Sequence, residues 1–407
     1  MSVSCDPNDL SLAASYLRGM NSGQIQAVKT SLICSWANAL LPPVNMDISD
    51  TSLATNIILS WVNQGAGQTT NEVWKSTDGV TFNLFTTVPG TANGAFDNSG
   101  TLGVGQMHFY KVRGCNASGC GNFGPTVAVS NVFTAPNAPV NFPVLIRNFG
   151  TFTATAGAAI TSVSMPMLRK VDGNLNLSSN ANLTSVTLTA LQTVGGSLFL
   201  GASMPFIISL PNLLTVGIAS GDLQFHANNN VTSISCPKLT TVAGNFIFFS
   251  CPALTSVDLS SLQTVGVAGN GRLDWNTDPL LASISFPSLT QVRFSLNFNA
   301  CTGLQTINIP QSGFTITGLT GVVGNGCTVL TNWQVPGWVI PNNQVINIQN
   351  ASLTAASVNS ILARAVAPPT MTGGTINLNL GASSAPTGQG VIDKATLIGN
   401  GVTVNTN

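Results

Sequence analysis

Charge is what this 407-residue sequence has least of. It holds 13 Lys and Arg and 13 Asp and Glu, 6% of the chain, where an average soluble domain carries about 25%. One glutamate is present, Glu72. A net charge of zero without any basic run leaves no electrostatic footprint for a phosphodiester backbone or an anionic bilayer. Nucleic acid is therefore excluded as an expected partner. Membrane insertion is excluded because no apolar run approaches about 20 residues. Residues 1–10 contain Asp6 and Asp9 and lack the basic start and apolar stretch of a secretory leader.

The sequence is equally poor in catalytic and metal-binding patterns. Its two histidines, His108 and His226, lie 118 positions apart in different parts of the chain. No Gly-x-Ser-x-Gly elbow accompanies either. There is no His-Glu-x-x-His, no Cys-x-x-Cys and no acidic cluster at calcium-loop spacing. The glycine-rich stretch from Gly266 to Gly271 lacks the lysine and the strand-to-helix setting of a phosphate cradle. Neither a metal nor a cofactor is expected.

What is present points to a mainly β protein: 44% hydrophobic residues, 40 glycines and an excess of Ser, Thr and Asn. Residues 1–41 are the exception and read as an N-terminal helical pair. Leu10, Ala13, Ala14 and Leu17 line one helix, Ile25, Val28, Leu32, Ile33 and Trp36 the other, with a break from Gly19 to Gly23. One such pair cannot bury both faces, so it is expected to anchor the chain or to make a homo-oligomer; the alternative is a cap on the next domain. Cys5 and Cys34 face each other across it as a possible disulfide.

After Pro42-Pro43 come short alternating strands at about 56–62, 72–75, 82–87, 108–113 and 126–132. Leu59-Ser60-Trp61, then Val73-Trp74-Lys75 before the turn at Asp78-Gly79, then Tyr110-Lys111-Val112-Arg113 fall in order. Over residues 42–136 the chain thus resembles a fibronectin type III β-sandwich of bacterial and phage surface proteins, which implies a spacer or binding module. Cys115 and Cys120 flank a turn and can bridge in an oxidising compartment. Residues 137–149, rich in proline, read as a linker.

Residues 150–310 contain an internal repeat of 22–27 residues. Its first strand has two inward positions: Leu175/Leu177, Leu198/Leu200, Leu223/Phe225, Phe246/Phe248, Leu273/Trp275 and Leu296/Phe298. A turn column follows three residues later, Asn180, Ser203, Asn228, Cys251, Asp278 and Cys301, then a second strand and a Leu-x-x-Val step such as Leu191/Val194. Stacked coils of this kind bury a continuous core at about 4.8 Å per coil. The pattern is similar to leucine-rich repeats of the receptor L-domain kind, which implies a β-solenoid. Residues 311–407 add two helices, 354–365 and 391–398, and read as helix-bearing coils and an α/β C-terminal cap. Cys236, Cys251 and Cys301 are expected as buried free thiols.

In this register the first strand turns Phe199, Gln224, Ile247, Asp274 and Asn297 outward, flanked by His226, Phe249 and Asn276. Aromatic and aliphatic side chains among amides suit a sugar's apolar face and its hydroxyls. They also suit a protein partner, or simply a soluble neutral face. Asp222 and Asp274, two coils apart at about 10 Å, are the candidate carboxylate pair for glycan cleavage.

Extracellular-type modules without a leader lead to the expectation of a non-enzymatic bacteriophage virion protein, a fibre, spike or appendage. Its helices would join other virion proteins and its solenoid would meet a host surface glycan or protein. The alternatives are a bacterial extracellular or cell-surface adhesin and a polysaccharide-cleaving spike.

Overall fold

The computed structural model describes residues 40–50, 56–64, 67–155, 159–201, 207–267, 271–318 and 320–407. The expected N-terminal helices, Cys5, Cys34 and Ser203 lie outside these residues. The chain divides into two units, residues 1–101 with 108–127 and residues 102–107 with 128–407.

In the first unit, β1 (Val44–Asp50), β2 (Ile57–Val62) and β5 (Gly94–Asp97) form one antiparallel sheet. A second is formed by β4 (Asn83–Pro89), β3 (Thr70–Ser76), β6 (Met107–Asn116) and β7 (Gly119–Cys120). Alternation decides the faces: Ile57, Leu59 and Trp61 are buried on β2, Val73 on β3, Tyr110 and Val112 on β6. Cys115 and Cys120 are directly paired and joined by a disulfide. Asp97, 2% exposed, is held by Lys75 Nζ at 2.7 Å, Tyr110 OH at 2.6 Å and Ser99 Oγ at 2.6 Å. A carboxylate can be this buried because three donors replace its water.

The second unit is a β-solenoid of about nine turns over residues 133–347. Through its middle coils the pairing is parallel without a register slip, as Leu198 with Leu223, Leu223 with Phe246 and Phe246 with Leu273. Three strands make up a coil rather than the single strand of a leucine-rich repeat. The Leu-x-x-Val step is itself a strand: Thr193–Val194, Thr215–Val216, Thr241–Val242 and Thr264–Val265 stack directly on one another. The remaining side carries Ser233–Ser235 on Ser256–Asp258 and Ser283–Ser285 on Thr306–Asn308. The expectation of a leucine-rich repeat is thereby corrected to a three-sided coil, with two long sheets and a third side of separate three-stranded patches.

The solenoid also starts earlier than the repeat suggests. Val140–Asn141 pairs with Val163 and Ser164, and Arg147 with Lys170, so residues 137–149 form part of a coil instead of a linker. Pairing persists beyond residue 310, through Val345–Asn347, Thr375–Asn377 and Thr403–Asn405. Two helices interrupt these last coils, α1 (Ala355–Val366) and α2 (Gln389–Gly399). Thr354 caps α1 by accepting from Ser357 N, and Val358, Ile361, Leu362 and Ala365 form its buried stripe.

Inside, the second inward column becomes a run of stacked rings. Phe225 and Phe248 lie 5.0 Å apart and nearly parallel, Phe248 and Trp275 4.3 Å apart, Trp275 and Phe298 6.2 Å apart. All four are fully buried. Parallel register forces like residues to stack, and rings that stack at these distances gain about 0.5–1.5 kcal/mol per pair beyond burial.

Candidate functional site

The sheet that carries these rings inward presents two columns outward. Phe199 is paired with Gln224, Gln224 with Ile247, Ile247 with Asp274 and Asp274 with Asn297. Beside them, His226 is paired with Phe249 and Phe249 with Asn276. The eight candidate residues thus share one surface within five coils. Phe249 is 48% exposed. Phe199, Gln224, His226, Ile247, Asn276 and Asn297 are half-buried.

The environment of Asp274 is the unusual one. Although its column faces outward, it is only 8% exposed, and its Oδ1 has no hydrogen-bond partner. Burial pushes its pKa up to about 6, against the Arg272 charge and the Asn297 hydrogen bond, which both lower it. The Arg272 guanidinium lies over the Phe294 ring at 4.8 Å, and its charge offsets the burial of Asp274 only in part. Asp274 can therefore be protonated near neutral pH and give that proton to a bound group.

Asp222 differs. It accepts from Asn245 N at 2.7 Å, Asn245 Nδ2 at 3.1 Å and Gln224 Nε2 at 3.0 Å. It belongs to a chain of side chains that each accept the backbone N–H one coil on. Asn174 takes Ser197 N, Ser197 takes Asp222 N, and Asn245 takes Arg272 N. His226 leans over Gly201, where a Cβ would stand 2.9 Å from the ring. Its Nδ1 is buried without a partner.

The turn column was legible as a column, and Cys236, Cys251 and Cys301 are buried free thiols as expected; Cys327 is the member that was not placed in it. Cys251, Cys301 and Cys327 are fully buried free thiols that donate to backbone carbonyls. Burial pushes Cys251 and Cys301 up to about 12 and Cys327 to about 11, so they are poor nucleophiles and ligands. Cys236 is likewise buried. In the first unit, Glu72, Cys115 and Cys120 approach within 4.8 Å, but both sulfurs are committed to the disulfide. Among the described residues no helix is long and apolar enough to cross a membrane.

No protein-family model matches the chain, and no curated relative matches it. Solved structures similar to it include a pectate lyase of Erwinia chrysanthemi in complex with tetragalacturonic acid. It is 10% identical, with 74% of this chain and 85% of that chain covered at a TM-score of 0.20. A pectate lyase of Pectobacterium carotovorum is 10% identical, with 74% and 86% covered at a TM-score of 0.19. The proteins in these structures are enzymes. The expectation of a non-enzymatic bacteriophage structural protein is corrected accordingly. So low a score assigns neither an activity nor a substrate.

Proposed function

We propose that the outward face around Asp274 binds a polysaccharide and hydrolyses it. The observation that carries this reading is Asp274 itself: an outward-facing carboxyl kept 8% exposed, with an unpartnered oxygen and a pKa near 6. A charge-averse chain would gain stability by replacing it, and a general acid needs these properties. Phe249 offers a ring for a sugar's apolar face, and Gln224, Asn276 and Asn297 offer amides for its hydroxyls.

Asp274 would give its proton to the leaving glycosidic oxygen. The Asp222 carboxylate would take a proton from the water that attacks the anomeric carbon. One water is consumed per bond broken, the proton given by Asp274 leaves on the freed hydroxyl, and the proton taken up by Asp222 passes through solvent to Asp274, which resets both groups. Two coils and two positions along the strand separate Asp222 from Asp274, about 12 Å between their backbones, so the two side chains must lean toward each other to reach the range of about 6.5–9.5 Å for inversion. The product is expected with inverted configuration.

We read the first unit as a fibronectin type III-like spacer, a reading supported by two antiparallel sheets with Trp61 and Tyr110 in their core. The Cys115–Cys120 disulfide supports action in an oxidising, extracellular-type compartment. The test is release of reducing ends from a panel of bacterial capsular and plant cell-wall polysaccharides. Cleavage of one member, reduced at least ~100-fold in Asp274→Asn, is expected. No cleavage of any member, or full activity in Asp274→Asn, would refute the proposal.

A further inference from the structure

Along one corner of the solenoid, five of the described coils donate a side-chain hydrogen bond to the coil before them. Asn180 Nδ2 donates to Ala154 O at 2.6 Å and Asn228 Nδ2 to Leu200 O at 2.8 Å. Cys251 Sγ donates to Phe225 O at 3.6 Å, Cys301 Sγ to Trp275 O at 3.5 Å and Cys327 Sγ to Phe298 O at 2.7 Å. The acceptor always lies three residues before the corner position of the preceding coil. By the same register, the carbonyl that falls to Asp278 is that of Phe248.

A donor is needed there for a reason. The residue before the corner position has positive φ in six of these coils, namely Ser179, Ala227, Ser250, Thr277, Ala300 and Gly326. Five of the six are not glycine, and a left-handed corner built without glycine needs its surroundings to hold it. A carboxylate, however, has nothing to donate. Asp278 is fully buried, its Oδ1 accepts the Cys251 N–H at 2.7 Å, and its Oδ2 has no partner.

We infer that Asp278 is held as the neutral acid and donates from Oδ2 to the Phe248 carbonyl, which makes the corner following Phe249 a proton-dependent lock on the proposed binding face. Neutral, the group both donates and accepts, as Asn does elsewhere in the column. Ionised, it has no proton to give and sets a charge against the Phe248 carbonyl dipole, and the corner loosens.

The titratable groups facing it are the Cys251 thiol from the coil before and the Cys301 thiol from the coil after, both kept neutral by burial. On its own coil the nearest acid in sequence is Asp274, on the outward side. Burial pushes Asp278 up to about 7 and the Cys251 N–H opposes it; no cation is among the causes. The lock therefore holds below neutral pH and is released as pH rises through about 7.

The effect on the face rests on the proposed function, whereas the effect on stability does not. Melting is compared in an Asp274→Asn background, which removes the other raised carboxyl. With Asp278 intact, the melting temperature is expected to fall by about 5 °C or more from pH 5 to pH 8. With Asp278→Asn, which supplies donor and acceptor at every pH, that fall should vanish. Parallel curves, or failure of Asp278→Asn to fold, overturn the inference.

A carboxyl carbon-13 titration of Asp278 in the unmutated protein supplies a second reading. A midpoint near 7 supports the lock, and a group already ionised at pH 5 overturns it. If a glycan is cleaved, activity falls above pH 6 as Asp274 loses its proton, and the further loss near pH 7 should be absent in Asp278→Asn with Asp274 intact; an alkaline limb identical in the two proteins overturns the coupling to the face. If none is cleaved, melting and titration still decide, so the two proposals fail separately.

Discussion

Replacing Asp274 by Asn should make the protein more stable and its outward face inert. The carboxyl rises from an ordinary 3.8 to about 6 in the folded chain, a difference of about two units, which amounts to ~3 kcal/mol. The folded state holds the proton more tightly than the unfolded one. Stability is therefore full below pH 3.8, declines as pH rises to about 6, and stays low above it. The isosteric amide escapes that decline. At pH 4 the two proteins should melt together; at pH 8 the variant should melt about 5 °C higher or more. Arg272 loses an anionic neighbour, but it is exposed and rests on Phe294, so little offsets the gain. Scanning calorimetry from pH 4 to pH 8, run beside the reducing-end assay, measures both halves. A gap that does not change with pH, or a variant less stable at pH 8, would refute the account of Asp274. A group whose removal stabilises the fold is kept for some other purpose, and here catalysis is the purpose proposed.

Trp275→Ala empties the centre of the ring stack between Phe248 and Phe298 and should destabilise by about 3–5 kcal/mol, read by urea denaturation; a loss under 1 kcal/mol would mean that neighbouring coils collapse into the space. In the first unit, burial raises the Asp97 pKa but donors from Lys75, Ser99 and Tyr110 outweigh it, leaving it at about 2. Its contribution, present above pH 3.8, should be lost as pH falls through about 2. Acid unfolding followed by tryptophan fluorescence should show that limb in the natural protein and not in Asp97→Asn. Phe249→Ala should weaken binding to the cleaved glycan about 3- to 10-fold with the circular dichroism spectrum unchanged; equal affinity would place the sugar elsewhere.

The stacking was legible because inward positions repeat in sequence: Leu198, Leu223, Phe246 and Leu273 occupy one column in the fold as in the alignment of repeats. What escaped is instructive. The opening coils are built from strands of only two residues, Phe133–Thr134 and Phe152–Thr153, too short to alternate visibly. Cys327 belongs to the corner column, yet Thr320–Val323 pairs across a register shift that hides its spacing. The Leu-x-x-Val step carries no sign of being extended rather than helical until it pairs with its neighbours. The burial of Asp274 comes from coils about 25 residues away on either side, Ile247 and Asn297, and no local pattern encodes it.

The scarcity of charge can now be traced to particular columns. Parallel register places like positions about 4.8 Å apart, so a charged column would repel itself along its whole length. The column that begins with Arg147 and Lys170 shows the limit of tolerance. These two cations are adjacent, and Asp172 bridges them at 2.8 Å each. From the next coil onward the same column is Thr193, Thr215, Thr241 and Thr264, all neutral. Asp222 is accommodated in the same manner, through Gln224 and Asn245. Against that pattern, a carboxyl standing in an outward column between Ile247 and Asn297, with an oxygen left unpaired, is not explained by the needs of stacking. Charge is sparse where the coils pair, the charges of Arg147, Lys170, Asp172 and Asp222 are matched there by neighbouring groups, and the unpaired oxygen of Asp274 is the departure that the proposed proton donor accounts for.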